Sequence, residues 1–172
     1  GNARLGFQIS QSTGQSAAND AILDYAQASS EFLATGIPAS FMIAQAAHET
    51  GWGRKEIRHA DGSSANNLFG IKAGPTWNGP VAEVTTTEYV NGQPRRMVQK
   101  FRAYASHAES FADYAKLMKT NPRYEQVVAS ANDAKGFAHG LQRAGYATDP
   151  AYAEKLARVI NTTLRLQRSA TA

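Results

Sequence analysis

Apolar positions recur at helical spacing over most of the chain and change to an alternating pattern only once. Residues 1–17, rich in Gly, Gln and Ser, are expected to form a disordered linker or tail. Asn19 and Asp20 suit the cap of a first helix, in which Ile22, Leu23, Ala26, Ser30 and Leu33 trace a stripe that ends at Gly36. Pro38 fits the first turn of a second helix, where its missing N–H costs nothing. Phe41, Ala44, Gln45 and His48 form one stripe of that helix, and Met42, Ala46 and Glu49 another. A helix apolar nearly all round belongs at the centre of a domain, and Gly51 supplies its stop.

Residues 53–82 carry many Gly, Asn, Ser and Pro and predict mainly loop, with one short helix around Gly53 to Ile57. Between Glu83 and Tyr104 two β-rich runs flank Asn91-Gly92, the strongest short hairpin signal in the chain. Val84, Thr86, Glu88 and Val90 share one face of the first run by the period of two. Helical spacing then returns. Ser106 and Glu109 make a capping box before Phe111, Tyr114, Ala115 and Met118. A shorter segment follows Pro122, and Ala134, Phe137, Ala138 and Leu141 repeat the spacing before Gly145. Asp149-Pro150 opens a last helix with Tyr152, Leu156, Val159, Ile160 and Thr163 on one face. The pattern predicts an α+β, mostly α domain over residues 18–168, with a hairpin inserted after its second helix and a short tail at 169–172.

With 172 residues, 42% of them hydrophobic, the chain is long enough for one domain with its own core. The formal net charge of +4 suits an anionic partner such as nucleic acid, an anionic membrane or a bacterial wall, or simply a mildly basic protein. Lys and Arg are scattered, so no nucleic-acid partner is expected, and no apolar run approaches the roughly 18 residues of a membrane span, so no insertion is expected. The absence of cysteine excludes a disulfide framework, a thiolate nucleophile and a Cys-ligated metal.

The chemistry gathers at "AAHETGWG", Ala46 to Gly53. Glu49 falls in the last turn of the central helix, where burial and the negative end of the macrodipole both disfavour ionisation. A raised pKa is what a general acid needs, although a solvated helix end with an unimportant Glu fits the position equally well. Gly51 and Gly53 permit a sharp turn around Trp52, whose flat face suits sugar C–H groups. Phe69, Trp77, Tyr104 and Tyr146 could extend the wall of a cleft, or serve as core. His48-Glu49 invites comparison with the H-E-x-x-H metal motif, but Trp52 occupies the second His position, and His59, His107 and His139 have no metal-like spacing. No metal or cofactor is expected.

"AQAAHETGWG" (44–53), "NNLFGIK" (66–72), "TTEYVNG" (86–92), "FRAY" (101–104), "NPRY" (121–124) and "AGYATDPAYAEKL" (144–156) together resemble the successive motifs of the bacterial glucosaminidase-domain family, glycoside hydrolase family seventy-three. The resemblance covers about residues 20–166. It implies a lysozyme-like fold, with a helical lobe and a small β-hairpin lobe flanking a groove. The implied activity is that of an endo-β-N-acetylglucosaminidase cleaving the β-1,4 bond between N-acetylglucosamine and N-acetylmuramic acid in peptidoglycan. By position Glu49 is then the general acid. Glu88 matches the β-lobe Glu and becomes the second carboxylate, the plain alternative being a strand charge paired with Arg95 or Arg96. Glu83 is the fallback and Asp61 a weaker one. Tyr146 matches the family's "GY" position and is the implied substrate contact, beside Trp52, Phe69, Trp77 and Tyr104 as candidates by residue type. The family usually has Leu where His48 stands, and His48 is expected to pack or lie at the surface.

Carboxyls about 5–5.5 Å apart would suit a covalent retaining route and about 6.5–9.5 Å an inverting one, while the substrate's 2-acetamido group offers a third. A lytic transglycosylase and a non-catalytic wall-binding or rod-docking module are the rival readings. "NPRY" and "GYATDP" are similar to segments of a family member that serves flagellar rod assembly. That similarity implies flagellar rod proteins as partners, a monomer, and a periplasmic site of action reached by flagellar export within a longer chain. Arg54, Lys55 and Arg58 could meet the carboxylates of peptide stems, or form a solvated helix face.

Overall fold

Helix α2 (Ala39–Thr50) carries apolar residues on nearly every side, and the other helices cover it. The computed structural model describes the backbone of residues 15–171 and the side chains of residues 24–169. Within that range lie α1 (Gln15–Thr35), α2, strands β1 (Val81–Val90) and β2 (Gln93–Arg102), α3 (His107–Thr120), a 3-10 turn (Pro122–Tyr124), α4 (Glu125–Ala129), α5 (Ala134–Arg143) and α6 (Tyr152–Thr171). α2 packs between α1 and α6, α5 packs on α6, and α3 packs on α1. Met42, Ala44 and Gln45 of α2 are fully buried, together with Phe111, Tyr114, Phe137, Leu141, Leu156 and Ile160 from the surrounding helices. Each such large apolar side chain contributes about 1.5–3 kcal/mol by leaving water.

α1 departs from its predicted form in its start and in its buried face. It begins at Gln15, so three residues of the expected tail are helical, while residues 1–14 lie outside the described residues. Its buried face is Tyr25, Ala28 and Thr35, whereas Ala26, Ser30 and Leu33 of the expected stripe are exposed, Leu33 by 85%. Ile22 and Leu23 lie outside the described side chains. Apolar residues occur on two sides of this helix, and the tertiary partners choose between them: the Tyr25 hydroxyl accepts from Gln167 Nε2 on α6. At the other end, α6 runs to Thr171, so the expected C-terminal tail is helical through that residue.

α2 stops where the backbone turns left-handed. Gly51, Trp52 and Gly53 have φ of +57°, +58° and +84° in succession. A right-handed helix cannot start from such a run, so the short helix expected around 53–57 is a turn. Trp52 N–H donates to Ala47 O at 2.8 Å and Gly53 N–H to Thr50 Oγ1 at 3.0 Å, which satisfies the end of α2 from within the turn.

The loop that follows is organised by Asn67, which is buried. Its Nδ2 donates to Ile71 O at 2.9 Å and Arg102 O at 2.8 Å, and its Oδ1 accepts from Ile71 N–H at 3.1 Å. The hairpin grows from that loop through Arg102 N–H to Ile71 O at 3.0 Å and Ala73 N–H to Lys100 O at 2.8 Å. Asn91 and Gly92 have φ of +53° and +78°, the two positive values that a type I′ turn requires. On β1, Ala82 is buried and Val84, Thr86 and Glu88 are half-buried, while Glu83, Thr85 and Thr87 are exposed, so the expected face turns inward except at Val90 near the tip. Ser106 Oγ caps α3 through Glu109 N–H at 3.2 Å, and the Glu109 carboxylate returns to Ala105 N–H, one residue before the cap. No helix among the described residues is long and apolar enough to cross a membrane.

Candidate active site

Three separate stretches of chain converge on Glu49. The last turn of α2 presents its carboxyl; the first turn of α6 presents Tyr152, whose O–H donates to Glu49 Oε1 at 2.8 Å. The Asn67 loop presents Gly70, where a Cβ would stand 3.2 Å from Glu49 Oε2. Gly70 has φ of +64°, so the position demands glycine for its backbone as well as for the space. Burial is the larger influence on Glu49 and raises its pKa to about 7, with the Tyr152 hydrogen bond pulling in the opposite direction. The acid is therefore part-protonated at neutral pH, as the helix-end position predicts.

Behind this acid lies a row of buried polar groups. Tyr114 O–H donates to Gln45 Oε1 at 2.6 Å, and Gln45 Nε2 makes a long 3.5 Å contact to Tyr152 Oη. Phe69 stacks on Tyr114 with centroids 4.1 Å apart and is fully buried. Its ring therefore supports the site from within, a correction to its expected place on a substrate wall. Tyr146 is half-buried; its O–H donates to the Phe69 carbonyl and its ring stacks on Tyr152 at 6.1 Å. Burial, then the charge of Glu49, raise the pKa of Tyr114, Tyr146 and Tyr152, so all three remain neutral donors.

Glu88 sits on the inward face of β1 and is held from three sides. Lys72 Nζ lies 2.9 Å from Oε1, Thr148 O–H donates to Oε2 at 2.7 Å, and Thr86 O–H reaches Oε1 at 3.3 Å. Burial alone would raise its pKa, but the bonds from Lys72 and Thr148 outweigh that and hold the carboxyl below the usual Glu range. The two carboxyls thus differ in state: Glu49 keeps a proton to near pH 7 and Glu88 is ionised. The expected alternative of a pair with Arg95 or Arg96 is not formed; Arg96 donates to Thr87 Oγ1 on the outer face. Thr148 also accepts from Tyr89 N–H at 3.0 Å, which ties the far end of β1 to the loop before α6.

The other expected contacts are placed elsewhere. Tyr104 is buried and its O–H donates to Asp113, which also pairs with Arg102 at 2.9 Å, so its hydroxyl is engaged within the hairpin root. Trp77 is half-buried, with its indole N–H on Pro80 O at 2.8 Å and the Arg102 guanidinium 4.8 Å from its ring. Trp52 lines a surface depression with His48, Lys155, Arg158, Val159 and Thr162, on the α6 side of the turn. His48 packs edge-on against Tyr152 at 5.4 Å, and burial, then Lys155, lower its pKa. Glu83 is exposed and lies 3.8 Å from Lys100, while Asp61 is exposed in a turn with Ser63, so neither fallback carboxylate joins Glu49. Among the described residues no three His, Cys, Asp or Glu side chains cluster as metal ligands would.

Sequence reasoning overlooked Tyr152, Gly70, Asn67, Lys72 and Thr148 as parts of the site. All five lie within the quoted motif segments without an individual reason, Tyr152 carrying in addition only the signal of an apolar stripe.

A helical lobe, a small β-lobe and a protonatable acid at the end of the central helix define a lysozyme-like glycoside hydrolase. The family model for Glucosaminidase, described as mannosyl-glycoprotein endo-beta-N-acetylglucosaminidase, matches residues 24–165, and the chain belongs to this family. It is 49% identical over 126 residues, or 73% of its length, to the peptidoglycan hydrolase FlgJ of Escherichia coli (strain K12), of which it spans 40%. It is 36% identical over 125 residues to the exo-glucosaminidase LytG of Bacillus subtilis (strain 168), covering 70% of this chain and 42% of that one. Among solved structures, a mutant peptidoglycan hydrolase from Sphingomonas sp. A1 aligns with a TM-score of 0.79 at 48% identity, over 85% of this chain and 95% of that one.

Proposed function

We propose that the domain hydrolyses peptidoglycan as an endo-β-N-acetylglucosaminidase, cutting between N-acetylglucosamine and N-acetylmuramic acid with Glu49 as general acid. The observation that carries the reading is the enclosed Glu49 carboxyl, raised to about pH 7 and oriented by Tyr152. An acid in that state protonates the glycosidic oxygen as the bond breaks, the step that glycoside cleavage needs at neutral pH. Glu88, anionic on the inward face of β1, stabilises developing positive charge or prepares a water. Tyr146, stacked on the tyrosine that orients Glu49, contacts the sugars. The peptidoglycan named for the FlgJ relatives supports the wall as substrate; a role in flagellar rod assembly in the periplasm is the further reading that the "NPRY" and "GYATDP" segments suggest.

The test is digestion of purified sacculi followed by mass spectrometry of the released fragments. Reducing N-acetylglucosamine ends on internal fragments support the reading. Anhydromuramyl ends would make the domain a lytic transglycosylase, and release of single terminal sugars would make it exo-acting. Sacculi bound without any release would leave a wall-binding module. A folded Glu49→Gln protein with undiminished turnover would remove Glu49 from the mechanism.

A further inference from the structure

Arg95 stands directly across the hairpin from Glu88 in the β1–β2 register. Directly opposed side chains of an antiparallel pair lie on the same face, with Cβ atoms about 4.5–5.5 Å apart. That face buries Ala82 and Phe101 at the hairpin root and, further out, brings Glu88 to Thr148, so it is the one turned to the loop before α6. An Arg opposite a Glu ordinarily pairs with it. Here the Glu88 oxygens are taken by Lys72 at 2.9 Å, Thr148 at 2.7 Å and Thr86 at 3.3 Å. Arg95 is exposed, and among the described residues its guanidinium has no hydrogen bond or ion pair.

The consequence is a local excess of one positive charge. Lys72 neutralises Glu88, which leaves Arg95 on the same face with its planar donors free. Met97, two residues further along the same face, is 40% exposed and adds an apolar neighbour. A planar cation of this kind fits a carboxylate by two parallel hydrogen bonds. An uncharged N-acetylglucosamine polymer carries no such group, whereas each muramic acid of the wall carries a peptide stem with free carboxylates.

We propose that Arg95 is a specificity-determining residue that binds a stem-peptide carboxylate while the glycan lies in the groove, so that the domain prefers acidic wall strands to neutral chitin-like ones. The inference rests on the reading of peptidoglycan as substrate.

Binding measured in a Glu49→Gln background separates recognition from cutting. The probes are native sacculi, sacculi whose carboxylates have been amidated with a carbodiimide, and chitohexaose. Arg95→Gln should weaken retention on native sacculi about tenfold, the loss of one charge-assisted pair. Arg95→Lys should keep part of it, because the charge remains and the fork is lost. On amidated sacculi and on chitohexaose, Arg95 and Arg95→Gln proteins should bind alike. Equal retention on native sacculi, or an equal loss on all three probes, overturns the proposal, the second outcome marking a structural role. If the Glu49 protein releases no fragments while the Arg95 dependence persists, the hydrolase reading falls and this one stands.

Discussion

Tyr152 and Glu49 stand 103 positions apart in the chain, yet the phenol oxygen of one lies 2.8 Å from Oε1 of the other, joining the first turn of α6 to the last turn of α2. The hydrogen bond favours the ionised carboxyl and so lowers a pKa that burial raises. Tyr152→Phe should therefore push the Glu49 pKa further up. With Glu49 as the acid, the high-pH limb of kcat/KM should move to higher pH, while the rate at the optimum falls about tenfold through lost orientation. The pH profile of sacculus turnover checks both, and an unmoved limb would separate Tyr152 from the acid.

The same carboxyl ties stability to pH. Its pKa is near 4.5 in the unfolded chain and about 7 in the fold, so the folded state holds the proton more tightly. The stabilisation is fully present below about pH 4.5 and is lost as pH rises through about 7. Its size is of the order of 3 kcal/mol. Denaturant midpoints of Glu49→Gln should be nearly flat over pH 5–8 where the wild type declines, with the substituted protein the more stable at pH 8.

Gly70 faces Glu49 Oε2 with φ of +64°, and a Cβ there would lie 3.2 Å from the oxygen, close enough that the carboxyl has to give way. Gly70→Ala should cost about 1–2 kcal/mol from the backbone alone, and displace the carboxyl enough to lower turnover more than it lowers stability. Thermal melts and kcat measured on one preparation distinguish the two effects.

Thr148 is the clasp between the hairpin and the loop before α6, since it accepts from Tyr89 N–H and donates to Glu88. Thr148→Val should raise the Glu88 pKa, because the lost bond had lowered it. It should also speed amide exchange at Tyr89 about tenfold, while α2 and α6 keep their protection. Hydrogen exchange read residue by residue is the measurement, and unchanged exchange at Tyr89 would show that the clasp holds nothing.

The hairpin is legible because Asn91 and Gly92 both tolerate the positive φ of a type I′ turn, and α2 because residues apolar on every side belong at the centre. α1 was misread because it offers two apolar sides, and only contacts with other helices select the one bearing Tyr25 and Ala28. Glu49 announced itself by position, whereas Tyr152 looked like any core aromatic until α6 was laid beside α2. An aromatic residue such as Phe69 fits a cleft wall or a core equally by type, and it is Asn67 that decides, folding its loop inward and burying the ring. Lys72 outcompetes Arg95 for Glu88 through a bridge between Lys72 and Phe101, a pairing that no local pattern encodes.

The row from Tyr114 through Gln45 to Tyr152 has a direction. Tyr114 gives its hydrogen to the carbonyl end of Gln45, so the amide end faces Tyr152, whose own hydrogen is left for Glu49. Rotating the Gln45 amide by half a turn would set Nε2 against the Tyr114 O–H, donor against donor, and the carbonyl oxygen against the Tyr152 oxygen, whose hydrogen is already given to Glu49. Tyr114 has no exposed surface, yet it stands at the far end of this one-way row. The charge of Glu49 is accordingly felt by a phenol on α3 that has no contact with solvent.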